Sequence, residues 1–360
     1  MSALSAPSSP IRVLVVDDSA LTRRIICALL SSDPQVQVVG EARDGREAVD
    51  LAAKLHPDII TMDVHMPHVD GLQATEEIMA YTPTPILVLT ASLNRHDVNV
   101  TFQMLNAGAL EVLEKPKDLV SAQNVQVQKF LLERIKMLAR VKVVTHLRGR
   151  RRPKVEAPPA PAIHLDSDRA PSRLVVVGAS TGGPRVVYKL LRDLPADFPA
   201  TIVVVQHIAA GFVETMVDWF RANSALQINL AQHGALLRAG SVLVAPDTAH
   251  LRIDDDWRVT LDGEPRNLQY PSIDVTLQSA ALHYPKQTIG VVLTGMGRDG
   301  AAGLLALRKA GGHTIAQDQE SSSIWGMPRA AAEVGAAIET VGADGLATRL
   351  MALTKERRER

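Results

Sequence analysis

The chain has 360 residues, 46% of them hydrophobic but only 3% aromatic, with 39 basic side chains balancing 39 acidic ones. This length suits two domains with aliphatic cores of the kind parallel sheets prefer, and the balanced charge removes a global electrostatic case for nucleic acid. No apolar stretch is long enough to span a bilayer and no charged-then-apolar leader opens the chain, so a soluble cytoplasmic protein without membrane insertion is expected.

Residues 1–10 are rich in Ser, Ala and Pro and are expected to be disordered. Strand and helix signals then alternate five times up to about residue 140, which predicts a doubly wound α/β domain over 11–140. Ile11 to Val16 reads as a buried strand and runs into Asp17, Asp18 and Ser19. The helical pattern Leu21 to Leu30 contains Cys27, the one cysteine, which excludes a disulfide within the chain and reads as a buried structural thiol. Asp58 to Asp63 is a second strand ending in a carboxylate, followed by Met66-Pro67 and the turn Asp70-Gly71. Ile86 to Thr90 ends in a hydroxyl, and Leu113-Glu114-Lys115-Pro116 ends in a lysine. The C-terminal crevice of such a sheet gathers Asp17, Asp18, Asp63, Thr90 and Lys115. Three crowded carboxylates call for a cation, and oxygen-only ligands favour Mg²⁺. A lysine and a hydroxyl opposite can bind the oxygens of a phosphoryl group on Asp63.

The segments D-D-S, M-D-V-x-M-P-x-x-D-G, L-T-A and E-K-P resemble the response-regulator receiver family. The resemblance implies a flavodoxin-like fold in which Asp63 accepts phosphate from a histidine kinase. It implies Mg²⁺ held by Asp18, Asp63 and the backbone carbonyl of His65, with Asp17 assisting through water, and a switch at Thr90 and Lys115. One departure is Val112, where many receivers carry an aromatic residue.

Residues 141–172 form a compositional break, with Arg148-Gly149-Arg150-Arg151-Arg152-Pro153-Lys154 followed by Ala157-Pro158-Pro159-Ala160-Pro161. This reads as a linker stiffened in part by proline, its basic run a solvated segment rather than a contact for nucleic acid or an anionic membrane.

The second domain is expected over 173–355. The strand from Leu174 to Val177 enters Gly178-Ala179-Ser180-Thr181-Gly182-Gly183-Pro184, a G-x-S-x-G turn with proline placed for the first turn of a helix. A second apolar strand from Ile202 ends in Gln206-His207, and a third from Val291 ends in Thr294-Gly295-Met296-Gly297-Arg298-Asp299-Gly300. Helix-compatible sequence after each argues for a parallel sheet whose strand ends face one crevice. Ser180, His207 and Asp299 at three such ends have the placement of nucleophile, general base and orienting acid. Singly, each has a plainer reading: a structural or phosphate-binding turn, a strand-end histidine, a helix N-cap. The order Ser, His, Asp is not that of α/β-hydrolases, in which the acid precedes the histidine. A dinucleotide site recedes, because G-x-G-x-x-G is unmatched and His207 stands where the ribose-binding acid belongs.

A receiver, a linker and a domain carrying G-A-S-T-G-G-P, V-x-Q-H, L-T-G-M-G-x-D-G-A and S-S-x-x-G-M-P resemble the chemotaxis response-regulator protein-glutamate methylesterases over residues 11–340. The resemblance implies a Rossmann-like parallel-sheet hydrolase domain with Ser180 as nucleophile, His207 as base then acid, and Asp299 as its partner. Backbone N–H groups of Thr181 and Met296 are the implied oxyanion donors. The implied substrate is the γ-methyl ester of glutamate on cytoplasmic chemoreceptor helices, with glutamine deamidation beside it and no cofactor for the ester reaction. The polar residues of Ala245 to Leu251 and of Gly311 to Asp318 read as structural or cleft-lining. Ile208-Ala209-Ala210-Gly211-Phe212 lacks the proline usual in this family, which loosens one expected cleft wall. Two other classes stay open: a receiver-controlled module that docks a chemosensory partner without turnover, and a DNA-binding output domain, which would need a helix-turn-helix pattern that the second half does not show.

Overall fold

Runs of β-branched and aliphatic residues, most of them stopped by an acid, a hydroxyl or another polar residue, become the central strands of two separate parallel sheets in the computed structural model. It describes residues 9–91, 95–115, 124–141, 143, 173–264 and 269–355, with side chains from 100 and 127 onward in the helices that begin at 95 and 124. Nearly all of the expected linker, with its basic and proline-rich runs, lies outside these residues, as do residues 1–8. The chain divides into two compact units, 1–153 and 154–360.

In the first unit the elements are β1 (Ile11–Val16), α1 (Ala20–Ser31), β2 (Val36–Ala42), α2 (Gly45–Leu55), β3 (Ile59–Asp63), α3 (Gly71–Tyr81), β4 (Ile86–Thr90), α4 (Arg95–Ala107), β5 (Glu111–Glu114) and α5 (Asn124–Leu138). The strand order β2-β1-β3-β4-β5 is that of a flavodoxin-like sheet, with its switch point between β1 and β3. Every residue of β3 and β4 is buried, as covering helices on both faces require. Asp44 and Asp70 accept from backbone N–H groups at the starts of α2 and α3, so the turn expected at Asp70-Gly71 is a helix cap. Gly71 has no room for a side chain, because a Cβ there would stand 2.0 Å from the Asp63 carbonyl oxygen. Val112 is buried on β5.

The second unit contains β6 (Leu174–Ala179), α6 (Gly183–Asp193), β7 (Thr201–Gln206), α7 (Val213–Ala222), β8 (Gln227–Leu230), β9 (Ser241–Val244), β10 (His250–Ile253), β11 (Val259–Asp262), α8 (Ile273–His283), β12 (Thr288–Val292), α9 (Ala301–Lys309), β13 (His313–Gln317), α10 (Met327–Glu333), β14 (Glu339–Val341) and α11 (Leu346–Lys355). Seven strands pair in parallel in the order β14-β13-β12-β6-β7-β9-β8, and β10 and β11 form a separate antiparallel pair. From β6 the chain winds outward through β7, and later returns to the other side of β6 with β12. The crevice of an open sheet forms where the winding reverses, so Ser180 leaves the sheet at its switch point. All of β6, β7 and β12 is buried, and each fully buried aliphatic side chain contributes roughly 1.5–3 kcal/mol.

Cys27 lies half-buried on α1 rather than in the core, and burial followed by the Glu41 carboxylate pushes its thiol up to about 11. Below about pH 9 the native thiol should therefore be protonated and slow to react. Modification by a disulfide reagent at pH 8 is expected to run at least tenfold slower on folded than on unfolded chain, and equal rates would contradict the assignment.

Candidate active site

Ser180 follows directly on β6, and its N–H donates to the Thr294 carbonyl just past β12 (3.0 Å). Its own carbonyl accepts from Gly183 N–H and from Gln206 Nε2, each at 2.8 Å. The backbone turns through Gly182 at φ 76°, and α6 begins at once. A serine at this turn sits against the N-terminal end of a helix, where backbone donors favour negative charge. β12 approaches it closely because Gly295 has no side chain; a Cβ there would stand 2.6 Å from Ser180 Cβ. The Thr294 hydroxyl donates to the Thr181 carbonyl (3.1 Å) and accepts from Ile324 N–H (2.9 Å), which ties the turn to the segment before α10. Ser180 and Thr181 are both buried, and Met296 is exposed at the rim.

Ala179 and Gln206 are register partners in the β6–β7 ladder, so Ser180 and His207 leave the sheet side by side. His207 Nε2 lies 2.9 Å from Asp299 Oδ2, which leaves Nδ1 as the nitrogen available to a neighbouring hydroxyl. Asp299 also accepts from Ser272 Oγ (3.0 Å), Ile273 N–H (2.8 Å), Asp274 N–H (2.9 Å) and Gly300 N–H (3.0 Å). Burial pushes its carboxyl upward, but His207 and these backbone donors outweigh that and hold it below the ordinary range. The helix-cap reading of Asp299 is thus compatible with the catalytic one, and the helix it caps is α8, which precedes it. Asp274, in the first turn of α8, accepts in turn from Gly303 N–H of α9 (2.6 Å). Desolvation, with Asp299 nearby, raises the Asp274 carboxyl.

Ser272, Asp274 and Gln206 are not among the sequence-derived candidates. Only the last carried a signal, as the residue before His207 in V-x-Q-H. His250, from the segment read as cleft-lining, accepts the Ser272 N–H on Nδ1 (3.0 Å), which makes its role structural support. The loop after His207 is anchored without proline: Gly211 N–H donates to Asp247 Oδ2 (2.7 Å) and Phe212 is fully buried.

In the first unit Asp17, Asp18 and Asp63 place carboxylate oxygens within 4.8 Å of one another. Lys115 Nζ lies 2.7 Å from both Asp17 Oδ2 and Asp63 Oδ2. Thr90 ends β4, and its carbonyl accepts the Lys115 N–H (2.7 Å). His65 follows on the loop after β3 and is exposed. Burial raises the Asp63 carboxyl, against the opposing pull of Lys115. Three carboxylates against one ammonium leave two negative charges, and a set of oxygen donors fits a hard divalent cation.

Residues 175–350 match the CheB methylesterase family and residues 13–124 match the response regulator receiver domain. The chain is 43% identical to protein-glutamate methylesterase/protein-glutamine glutaminase 2 of Anaeromyxobacter dehalogenans over 98% of its own length and 99% of that protein's. It is 39% identical to number 4 of that name from Geobacter metallireducens, covering 96% and 100% of the two chains. The corresponding protein of Symbiobacterium thermophilum is 40% identical, over 94% and 95%. The chain belongs to the protein-glutamate methylesterase/protein-glutamine glutaminase family. A receiver domain in a member of this family implies phosphorylation that depends on Mg²⁺.

Asp299, held low in the folded chain, contributes stability that is complete above the unfolded carboxyl value near pH 4 and fades as pH falls through the folded value. Thermal unfolding from pH 7 down to pH 3 should show the wild type losing more stability than Asp299→Asn below about pH 5. Parallel profiles would contradict this linkage.

Proposed function

We propose that the chain hydrolyses glutamate γ-methyl esters, and deamidates glutamine side chains, on the cytoplasmic helices of chemoreceptors. The observation that carries this reading is the His207–Asp299 pair beside Ser180 at the sheet's switch point, with Asp299 fixed on the end of α8. Ser180 Oγ attacks the ester carbonyl while His207 Nδ1 takes its proton. The resulting imidazolium is stabilised by ionised Asp299. The oxyanion is received by backbone N–H groups of Thr181, next to Ser180, and of Met296, next to the Gly295 that packs close to Ser180. Collapse breaks the ester C–O bond, and His207 returns the proton so that methanol leaves. Water, deprotonated by His207, then cleaves the acyl-enzyme to glutamate and restores Ser180. With glutamine the same steps release ammonia, whose departure depends more heavily on the proton from His207.

We assign residues 11–140 as the receiver, 141–172 as linker and 173–355 as the catalytic domain, with a cytoplasmic location. No described helix is long and apolar enough to cross a membrane. Asp63 is the phosphate acceptor, supplied by a chemosensory histidine kinase. Asp18, Asp63 and the His65 carbonyl would hold Mg²⁺, with Asp17 assisting through water. Bound there, the ion would supply charge neutralisation for phosphoryl oxygens. Lys115, already against Asp63, and the Thr90 hydroxyl would bind the phosphoryl oxygens, which makes these two the switch. The receiver restrains the hydrolase, and phosphorylation releases it.

Ser180→Ala should lower methanol release from methylated receptor by several orders of magnitude in a folded protein. Near-normal release would remove Ser180 from the mechanism, and the absence of release from wild type would favour a docking module instead. In the full-length chain a small phosphodonor with Mg²⁺ should raise the rate about tenfold, which needs only about 1.4 kcal/mol of differential stabilisation. Asp63→Asn should abolish both labelling and activation; labelling equal to wild type would place the acceptor elsewhere.

A further inference from the structure

Gln206 ends β7, one residue before His207, and is 1% exposed. Its Nε2 donates to the Ser180 carbonyl and to the His207 carbonyl, each at 2.8 Å. The backbone ladder between β6 and β7 closes with the His207 N–H donating to the Ala179 carbonyl (2.9 Å). Beyond it the two chains part into different turns, and the next rung is made by the Gln206 side chain. The acceptor end of the same amide is the unusual part. Oε1 is buried and has no hydrogen-bond partner among the described residues. Gly183 leaves it room, since a Cβ there would stand 2.5 Å from Oε1. Among the described groups the amide is therefore held through its two donors, both spent on backbone carbonyls at the site. Turned over, it would set Oε1 against two carbonyl oxygens, so only one orientation serves.

We infer that Gln206 is a positioning residue for hydrolysis: its two N–H donors set the separation of Ser180 from His207, and so the reach of the hydroxyl to Nδ1. The inference rests on reading those two residues as nucleophile and base. Reaction geometry is steep in distance, and a displacement of about 1 Å costs on the order of a hundredfold in rate. Ground-state binding of the receptor helix does not use this buried amide, so KM should be insensitive to it.

Two full-length variants test this. Gln206→Met removes both donors at similar length, and Gln206→Glu keeps the shape but turns an oxygen toward the two carbonyls. Active sites are counted by carrying fluorophosphonate labelling to completion and locating the label by mass spectrometry, so that a partly folded population cannot imitate a slow one. In both variants kcat per labelled site should fall roughly ten- to a hundredfold, with KM within about twofold of wild type. Gln206→Glu should be the slower of the two. A folded variant whose kcat per labelled site stays within about twofold of wild type overturns the inference. Loss of fold in both also overturns it, because the amide would then be a requirement of the core rather than of placement. A label found on a residue other than Ser180 overturns the nucleophile assignment and the inference together, a result the variants' rates alone cannot produce.

Discussion

The carboxylate of Asp299 rests on the N-terminus of α8, which precedes it in the chain, while Asp274 from the first turn of α8 rests on the N-terminus of α9, which follows Asp299. The start of α8 thus carries an acid from the loop before α9, and the start of α9 carries an acid from α8. Backbone N–H groups at a helix start are unsatisfied and carry positive partial charge, so each exchange meets donors that would otherwise need water. A carboxylate drawn partly out of water is costly unless it finds partners, and half-buried Asp299 has five, counting His207. The closed exchange leaves Asp299 little freedom to turn, and through it the imidazole. The two acids are driven in opposite directions: Asp274 upward by burial, Asp299 downward by donors that outweigh it. Of this pair, a proton is taken up first by Asp274, and the acid facing the imidazole stays charged.

The other crevice uses a different balance. Asp17 and Asp63 are brought together across the β1–β3 switch point and share one lysine, while Asp17 also accepts from Ser19 N–H at the start of α1 (2.9 Å) and Asp63 from Val64 N–H (2.7 Å). Their residual negative charge suits a site that must take up both a cation and a phosphoryl group. The hydrolase crevice, with its charge internally satisfied, suits chemistry on a neutral ester or amide.

Much of this was legible in the sequence for a simple reason. Central strands of a parallel sheet are apolar on both faces, so Val13 to Val16, Leu174 to Val177 and Ile202 to Val205 stand out as unbroken runs, and Ile59 to Met62 as a run interrupted by Thr61 alone. Chemistry-bearing residues gather at the C-terminal ends of those runs. The peripheral strands were not legible. In β8 exposed Gln227 and Asn229 flank buried Ile228, and the β10–β11 pair spans eight residues with mixed burial, so neither contains an apolar run. Ser272 and Asp274 were invisible for another reason. They precede or open a helix, where serine and aspartate are ordinary capping residues. Nothing local announces that the carboxylate they serve comes from the far side of the next strand.

The strand order has a consequence for biosynthesis. β6 is flanked by β7, made shortly after it, and by β12, made only once two more helices, four further strands and their loops have been completed. Pairing of β12 with β6 closes a long loop, the slow kind of event in the folding of α/β chains. A ribosome-bound chain that already exposes Ser180 and His207 still lacks Asp299, Gly295 and the Thr294 carbonyl that holds the serine's N–H. On the proposed mechanism the nucleophile is therefore translated early but armed late, and an unfinished chain has no competent site with which to attack esters.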